Sequence, residues 1–267
     1  MSFGAIADDY NRFRPRPPTA AINWLLPGGC QVAADVAAGT GLLTRALASR
    51  VAQVVAVEPD GRMASVLRER SPGVHVVQGR GEAIPLLTGT VGCLLISSAW
   101  HWLEPDQATR EIGRVLTDGG RFGIIWTSRD REVEWVRELD WIRQPGRLPA
   151  SADRHPGRSQ AFRPWHRRVA LPDGAPFDNV EAASFSFTLP MTVGDIVELI
   201  GTYSDLITAS PRDRAAGLAR TRKLLTQRFP GVTEIDVPMR SRCWRADRAS
   251  RSDSPGRADL DPDPARE

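Results

Sequence analysis

The chain has 267 residues, 41% of them hydrophobic and 25% charged, which supplies one sizeable core and excludes a wholly disordered, collagen-like or disulfide-stapled protein. The formal net charge is only +3, with acids and bases interleaved along most of the length, so no nucleic-acid partner is expected. No apolar run of about 18 residues is present to span a bilayer. The opening MSFGAIADDYNRFRPRPP carries aspartates and an asparagine where a signal peptide requires an apolar core, so the expectation is a cytoplasmic protein with no membrane partner.

Residues 31 to 127 alternate short apolar runs with helical periodicity, the pattern of strand and helix units wound into a parallel sheet. The runs predict strands over Gln31–Ala37, Val54–Glu58, Val74–Gln78, Val91–Ser97 and Arg121–Trp126. Each is too short for a helix and apolar almost throughout, as strands covered on both faces must be. Helical stripes fall between them: Leu42, Leu43, Ala46 and Leu47; then Met63, Val66, Leu67 and Arg70; then Ala108, Ile112, Val115 and Leu116. Asp118-Gly119-Gly120 reads as an αL glycine cap closing the last of these helices.

Beyond Trp126 the texture changes. Val133, Val136, Leu139 and Ile142 mark a helix, and residues 144–179 lose periodicity to proline, glycine and arginine, as a long loop or lid does. Glu181–Leu189 alternates as a sixth strand, Thr192–Tyr203 is a short apolar helix, Asp213–Phe229 an amphipathic one and Val232–Trp244 a last strand. From Ala246 onward the composition cannot offset the cost of ordering the chain and predicts a disordered tail. The fold class is therefore α/β, a Rossmann-like doubly wound, mostly parallel seven-stranded sheet with a helical and loop cover.

The most informative segment is Ala34-Asp35-Val36-Ala37-Ala38-Gly39-Thr40-Gly41-Leu42-Leu43-Thr44, a small-residue loop between the first strand and the first helix. Its glycines allow a ligand to approach the backbone. Glu58 ends the second strand 19 residues beyond Gly39, where a carboxylate can accept both hydroxyls of a ribose, so the pair indicates an adenosine-containing ligand. A dinucleotide fingerprint would place a third glycine where Thr44 stands. Asp35 would repel a pyrophosphate and attract an ammonium group, and S-adenosylmethionine carries that ammonium.

With these residues in view, the chain resembles a class I S-adenosylmethionine-dependent methyltransferase of the type 11 small-molecule group, of the trans-aconitate methyltransferase kind. The family loop reads D-x-G-x-G-T-G. Asp35, Gly39, Thr40 and Gly41 match it, while Ala37 stands where the first glycine is usual. Gly79-Arg80-Gly81-Glu82-Ala83-Ile84-Pro85-Leu86 resembles the segment that borders the adenine, with backbone at Gly81 and Glu82 serving the ring edge; Arg80 replaces a usual aspartate and cannot accept the adenine amino hydrogen bond. Tyr10-Asn11-Arg12-Phe13-Arg14-Pro15 resembles the lead-in that folds over the cofactor. The resemblance then implies Arg14 on the methionine carboxylate and Tyr10 over the sulfonium.

The resemblance divides the chain into a cofactor-covering segment 1–30, a cofactor core 31–127, a cover and substrate region 128–230, a last strand 231–245 and a tail 246–267. In a parallel sheet the ligand crevice lies at the carboxyl ends of the strands, so Ser97-Ser98-Ala99-Trp100-His101-Trp102 faces the transferred methyl. Ser97 is expected at the cofactor. Trp100 and Trp102 are expected to floor the acceptor site, and His101 is the histidine placed to act as general base. Cys30, Cys93 and Cys243 are too widely spaced for a disulfide framework or a zinc site, and no metal is expected. The expected activity is methyl transfer from S-adenosylmethionine to an oxygen, nitrogen or carbon of a small-molecule acceptor. The alternatives are an NAD(P)-dependent oxidoreductase on a similar sheet and a non-catalytic S-adenosylmethionine-binding protein.

Overall fold

The computed structural model describes residues 11–143, 169 and 171–250. Its strands are β1 Val32–Val36, β2 Gln53–Val57, β3 His75–Val77, β4 Val91–Ser97, β5 Leu116–Arg129, β6 Phe177–Met191 and β7 Ile235–Arg248. The helices are α1 Thr19–Leu25, α2 Leu42–Ala48, α3 Gly61–Arg70, α4 Pro105–Val115, α5 Glu134–Arg143, α6 Val193–Gly201, α7 Ser204–Ile207 and α8 Pro211–Arg228.

Local chemistry sets most helix starts. Asp60 accepts from the backbone N–H groups of Arg62 and Met63 to open α3, Thr192 and Asp195 form a reciprocal capping box on α6, and Ser210 accepts from Asp213 at the head of α8. One sheet holds all the strands in the order β3-β2-β1-β4-β5-β7-β6, with β7 antiparallel to both its neighbours and the pairs from β3 through β5 parallel. The chain order reverses between β1 and β4, which opens a crevice above their carboxyl ends.

The sheet is covered on both faces. Ala34, Val36, Leu94 and Ile96 point toward α4, with Trp100, Phe122 and Trp244 filling that side. Ala33, Cys93 and Leu95 point toward α1 and α2. A third cluster joins Leu139, Met191, Ile196, Leu199, Ile200, Leu225, Val237 and Met239, so α5, α6 and α8 pack on the antiparallel end of the sheet and form the cover.

Two differences from the sequence reading have physical causes. The Asp118-Gly119-Gly120 turn does not cap α4; the helix ends at Val115, and Leu116 already pairs with Val91. Two steps along β4 then face five along β5, from Leu116 to Arg121, so the surplus residues bulge outward with Gly119 at φ +70°. The expected tail also begins too early. Ala246, Asp247 and Arg248 belong to β7, where Ala246 is fully buried, Asp247 pairs with Arg121 at 2.8 Å, and Arg248 donates to the Leu116 carbonyl. Residues 251–267, most of that expected tail, lie outside the described residues, as does most of the expected loop over 144–179.

A chain ending at Arg245 is therefore expected to lose about 2 kcal/mol of stability relative to one ending at Ser250, a fall in melting temperature of roughly 4–8 °C. Thermal denaturation of the two truncations checks this, and equal melting would refute a contribution from the strand end.

Candidate active site

Asp35 is the penultimate residue of β1, paired with Ala56 of β2 on one side and Leu95 of β4 on the other. That central register buries the carboxyl completely. Its Oδ2 accepts a 2.6 Å hydrogen bond from the Thr44 hydroxyl of α2, while Oδ1 has no partner. Burial pushes the carboxyl up to about 7, against the Thr44 hydrogen bond, and the nearby Glu58 charge adds to the rise.

Beyond Asp35 the chain turns through three left-handed residues: Ala37 at φ +56°, Gly39 at +59° and Gly41 at +84°. Gly41 admits no side chain, since a Cβ there would lie 2.9 Å from Leu67 Cγ, whereas a Cβ on Gly39 would meet nothing within 4 Å. Gly39 N–H donates at 2.8 Å to Glu58 Oε2, and Asp60 N–H donates at 2.9 Å to Oε1. Glu58 is thus buried at the foot of the loop, and burial raises its pKa above the usual glutamate range. Each of its oxygens keeps acceptor capacity beyond that one hydrogen bond. Thr40 Oγ1, also buried, lacks a partner.

The residues fit the expected cofactor on two counts. The orphaned Oδ1 of Asp35 is a buried carboxyl oxygen lacking the donor that an ammonium group supplies. The open space beside Gly39 leaves the loop backbone accessible above Glu58. Residues 34–124 match the methyltransferase domain family. An uncharacterised methyltransferase of Mycobacterium tuberculosis is 38% identical over 225 residues, which is 84% of this chain and 86% of that protein. An uncharacterised methyltransferase-like protein of Schizosaccharomyces pombe is 29% identical over 201 residues, 73% of this chain and 75% of that one. The chain belongs to the methyltransferase family. S-adenosylmethionine is its cofactor. A solved structure from Anaeromyxobacter dehalogenans, of a candidate type II methyltransferase, shares the fold with a TM-score of 0.66 at 22% identity, covering 89% of this chain and 98% of that one.

The methyltransferase holds its loop from the N-terminal side as well. Arg45 Nη1 donates to the Thr40 carbonyl at 2.8 Å and Nη2 to Asn11 Oδ1 at 2.6 Å. Three residues on, Arg14 donates through Nε and Nη2 to the hydroxyl and carbonyl of Thr202, at 3.0 and 2.9 Å, and lies 4.4 Å from the Tyr203 ring centroid. The structure therefore brings Arg14 to the end of α6 in the cover. Tyr10 lies outside the described residues.

Gly81 packs against Leu103, where a Cβ would come within 2.9 Å of Cδ1, and Glu82 accepts from the Glu104 backbone at 3.1 Å. Arg80 is largely exposed beside Glu82, at 3.7 Å. The Glu111–Arg114 pair of α4 fixes this segment through the backbone of Ile84 and Leu86, a clamp that sequence reasoning missed.

Ser97 ends β4 opposite Ile125, and Ser98 comes next at φ +56° with its N–H donating to the Ile125 carbonyl. A 3-10 turn then carries Trp100–Trp102. Trp100, expected in the acceptor floor, is packed into the core at 4% exposure with Phe122 5.5 Å away. Trp102 stands 64% exposed with the exposed His101 ring 4.8 Å from its own. Among the described residues no His, Cys, Asp or Glu cluster could hold a metal ion, and no helix is long and apolar enough to cross a membrane.

Sequence reasoning also missed Arg129. It closes β5, is 3% exposed, and donates through Nη2 to Asp140 Oδ1 at 2.8 Å. Nothing local in the sequence marks an arginine as buried; only the 11-residue spacing to Asp140 hints at the pair.

The half-satisfied Asp35 generates a pH prediction. The folded carboxyl keeps its proton to about pH 7, whereas an unfolded aspartate releases it near pH 4. Below about pH 4 the two states are protonated alike in this group; between these values the folded state binds more protons, so stability falls as pH rises, and the loss is complete above about 7. Asp35→Asn is expected to melt progressively higher than the parent as pH rises from about 5 to 8, the gap widening by a few kcal/mol on the order-of-magnitude scale of this shift. A gap independent of pH would refute it.

Proposed function

We propose that the chain is a methyltransferase for a small-molecule acceptor in the cytoplasm, belonging to the type 11 small-molecule group and of the trans-aconitate methyltransferase kind. The observation that carries the cofactor half of this reading is the pairing of two buried acids at the ends of β1 and β2, one with an unsatisfied oxygen and one holding the loop N–H. Bound S-adenosylmethionine supplies an electrophilic methyl group on a sulfonium, which an in-line nucleophile displaces.

The residues of this chain do the rest by position. Asp35 would receive the ammonium, Glu58 the ribose hydroxyls, and the loop at Ala37, Gly39, Thr40 and Gly41 would hold the methionine and ribose. Gly81 and Glu82 would border the adenine, Ser97 at the end of β4 would face the transferred methyl, and Trp102 with His101 would line the mouth by which the acceptor enters. Holding the two reactants in line at about 3 Å is worth several kcal/mol without any further group. The NAD(P) reading is disfavoured by Asp35, whose charge would lie against a pyrophosphate.

Two measurements test the reading. Asp35→Ala is expected to weaken S-adenosylmethionine binding at least about 10-fold by calorimetry, the value of one charge-assisted hydrogen bond lost; unchanged affinity counts against the assignment of this acid. Methyl-labelled S-adenosylmethionine incubated with a cell extract is expected to deliver label to the small-molecule fraction. Label appearing in protein or nucleic acid would overturn the acceptor class.

A further inference from the structure

The helix that follows the loop after β1 opens on Gly41, which has no side chain to cap it. Thr44, the third residue of α2, is fully buried and turns its hydroxyl back onto β1, where it donates to Asp35 Oδ2 at 2.6 Å. The direction follows from helix geometry. Each Cα–Cβ bond tilts toward the helix N-terminus, so a residue in the first turn of α2 leans toward the strand that the loop leaves.

This one hydrogen bond settles two properties of the carboxyl. It fixes Oδ2, and a carboxyl with one oxygen held presents only the other, so Oδ1 is the oxygen left for a ligand. It also favours the charged form, because a hydroxyl donating to a carboxylate at this distance makes a charge-assisted bond. Both residues are fully buried, so water does not compete for it.

The other surroundings of Asp35 mostly oppose its charge. Burial disfavours ionisation most, and Glu58, just past the end of β2, adds to the effect. On the favourable side the Thr44 hydroxyl comes first, then the Thr44 backbone N–H, and Arg45 of α2 contributes least. The Arg45 guanidinium is engaged by the Thr40 carbonyl, Asn11 and Ser71 instead. Among the described residues, Thr44 is therefore the side chain that holds this acid.

We propose that Thr44 is the positioning residue that makes Asp35 an ammonium receptor: its hydroxyl holds Oδ2 so that Oδ1 meets the ligand as a carboxylate oxygen, which selects adenosine ligands carrying an amino-acid group over those without one. The proposal rests on the assignment of Asp35 to the cofactor ammonium made above. It also gives a reason for the residue type. A dinucleotide fingerprint places glycine at this position, which would leave Asp35 without its hydroxyl donor.

The test uses the full-length chain and three substitutions. Thr44→Val replaces the hydroxyl with a methyl of similar shape, Thr44→Ala removes it and leaves space, and Thr44→Ser keeps it. In the ligand-free protein, the infrared carbonyl band of the protonated Asp35 carboxyl is assigned by its loss in Asp35→Asn. That band is expected to titrate at about pH 7 in the parent. In Thr44→Val and Thr44→Ala its midpoint is expected about one unit or more higher, with Thr44→Ser close to the parent.

Calorimetry then compares S-adenosylhomocysteine, which carries the ammonium, with methylthioadenosine, which does not. S-adenosylhomocysteine is expected to bind Thr44→Val about 10-fold more weakly than the parent near pH 6, the ratio shrinking toward pH 9 as both carboxyls ionise. The ligand's own amino group titrates alike in every comparison and cancels in that ratio. Methylthioadenosine is expected to bind parent and variant equally.

A threonine that merely packs the head of α2 would give other results. A band midpoint unmoved by Thr44→Val and Thr44→Ala overturns the proposal, as does a loss of S-adenosylhomocysteine affinity that is the same at every pH, or an equal loss for methylthioadenosine. Those failures leave the methyltransferase reading standing. A parent that binds neither ligand removes the assignment of Asp35 to the cofactor, and the role of Thr44 with it.

Discussion

The buried carboxyl of Asp35 is the constraint on which the rest of the site depends. It lies at the point where the sheet reverses direction, flanked by β2 and β4, and no water can reach it. One oxygen is satisfied by Thr44 and the other is left open. A protein that needed only a stable sheet would place an alanine or valine here, as at Ala33 and Val36 of the same strand. The fold instead holds a group whose ionisation is opposed by its surroundings, and the packed leucines of α2 against β1 and β4 offset that cost. A half-met acid in a low-dielectric setting discriminates strongly between a cation and a phosphate.

The centre of the sheet is legible in the sequence and its edges less so. β4 is readable end to end from Val91 to Ser97 because it is apolar throughout and lies between two parallel neighbours. The apolar pattern of β5 stops at Trp126, because Thr127, Ser128 and Arg129 are polar. They are held in the strand by Ser241, Arg240 and Met239 of β7, and the hydroxyls of Thr127 and Ser241 lie 2.7 Å apart. Ala246 reads as tail because the residues after it are polar and proline-rich, yet its position opposite Phe122 buries it. In each case the deciding partner lies on a strand far along the chain, beyond any local pattern.

The site divides in the same way. The left-handed turn and its flanking acids are legible because glycine at φ above zero and a carboxyl at a strand end are local requirements. The tryptophans after β4 are not separable by type. A 3-10 turn has about three residues per turn, so residues two apart face different directions, and the turn sends Trp100 into the core and Trp102 outward. The place of Arg14 in the lead-in suggests a cofactor contact, and its hydrogen bonds to Thr202 become visible only once α6 is placed. Arg129 gives no signal beyond its spacing to Asp140, because a buried arginine is marked by its surroundings and not by its neighbours in sequence.

The strap from residue 11 to 17 gives these parts a mechanical connection. At one end Asn11 holds Arg45, which holds the backbone of Thr40 in the cofactor loop; at the other Arg14 holds the end of α6. Pro15 and Pro17, just beyond Arg14, are both buried and fix φ where the strap leads on toward α1. Only the short run from Asn11 to Arg14 separates the contact with the loop after β1 from the contact with the cover.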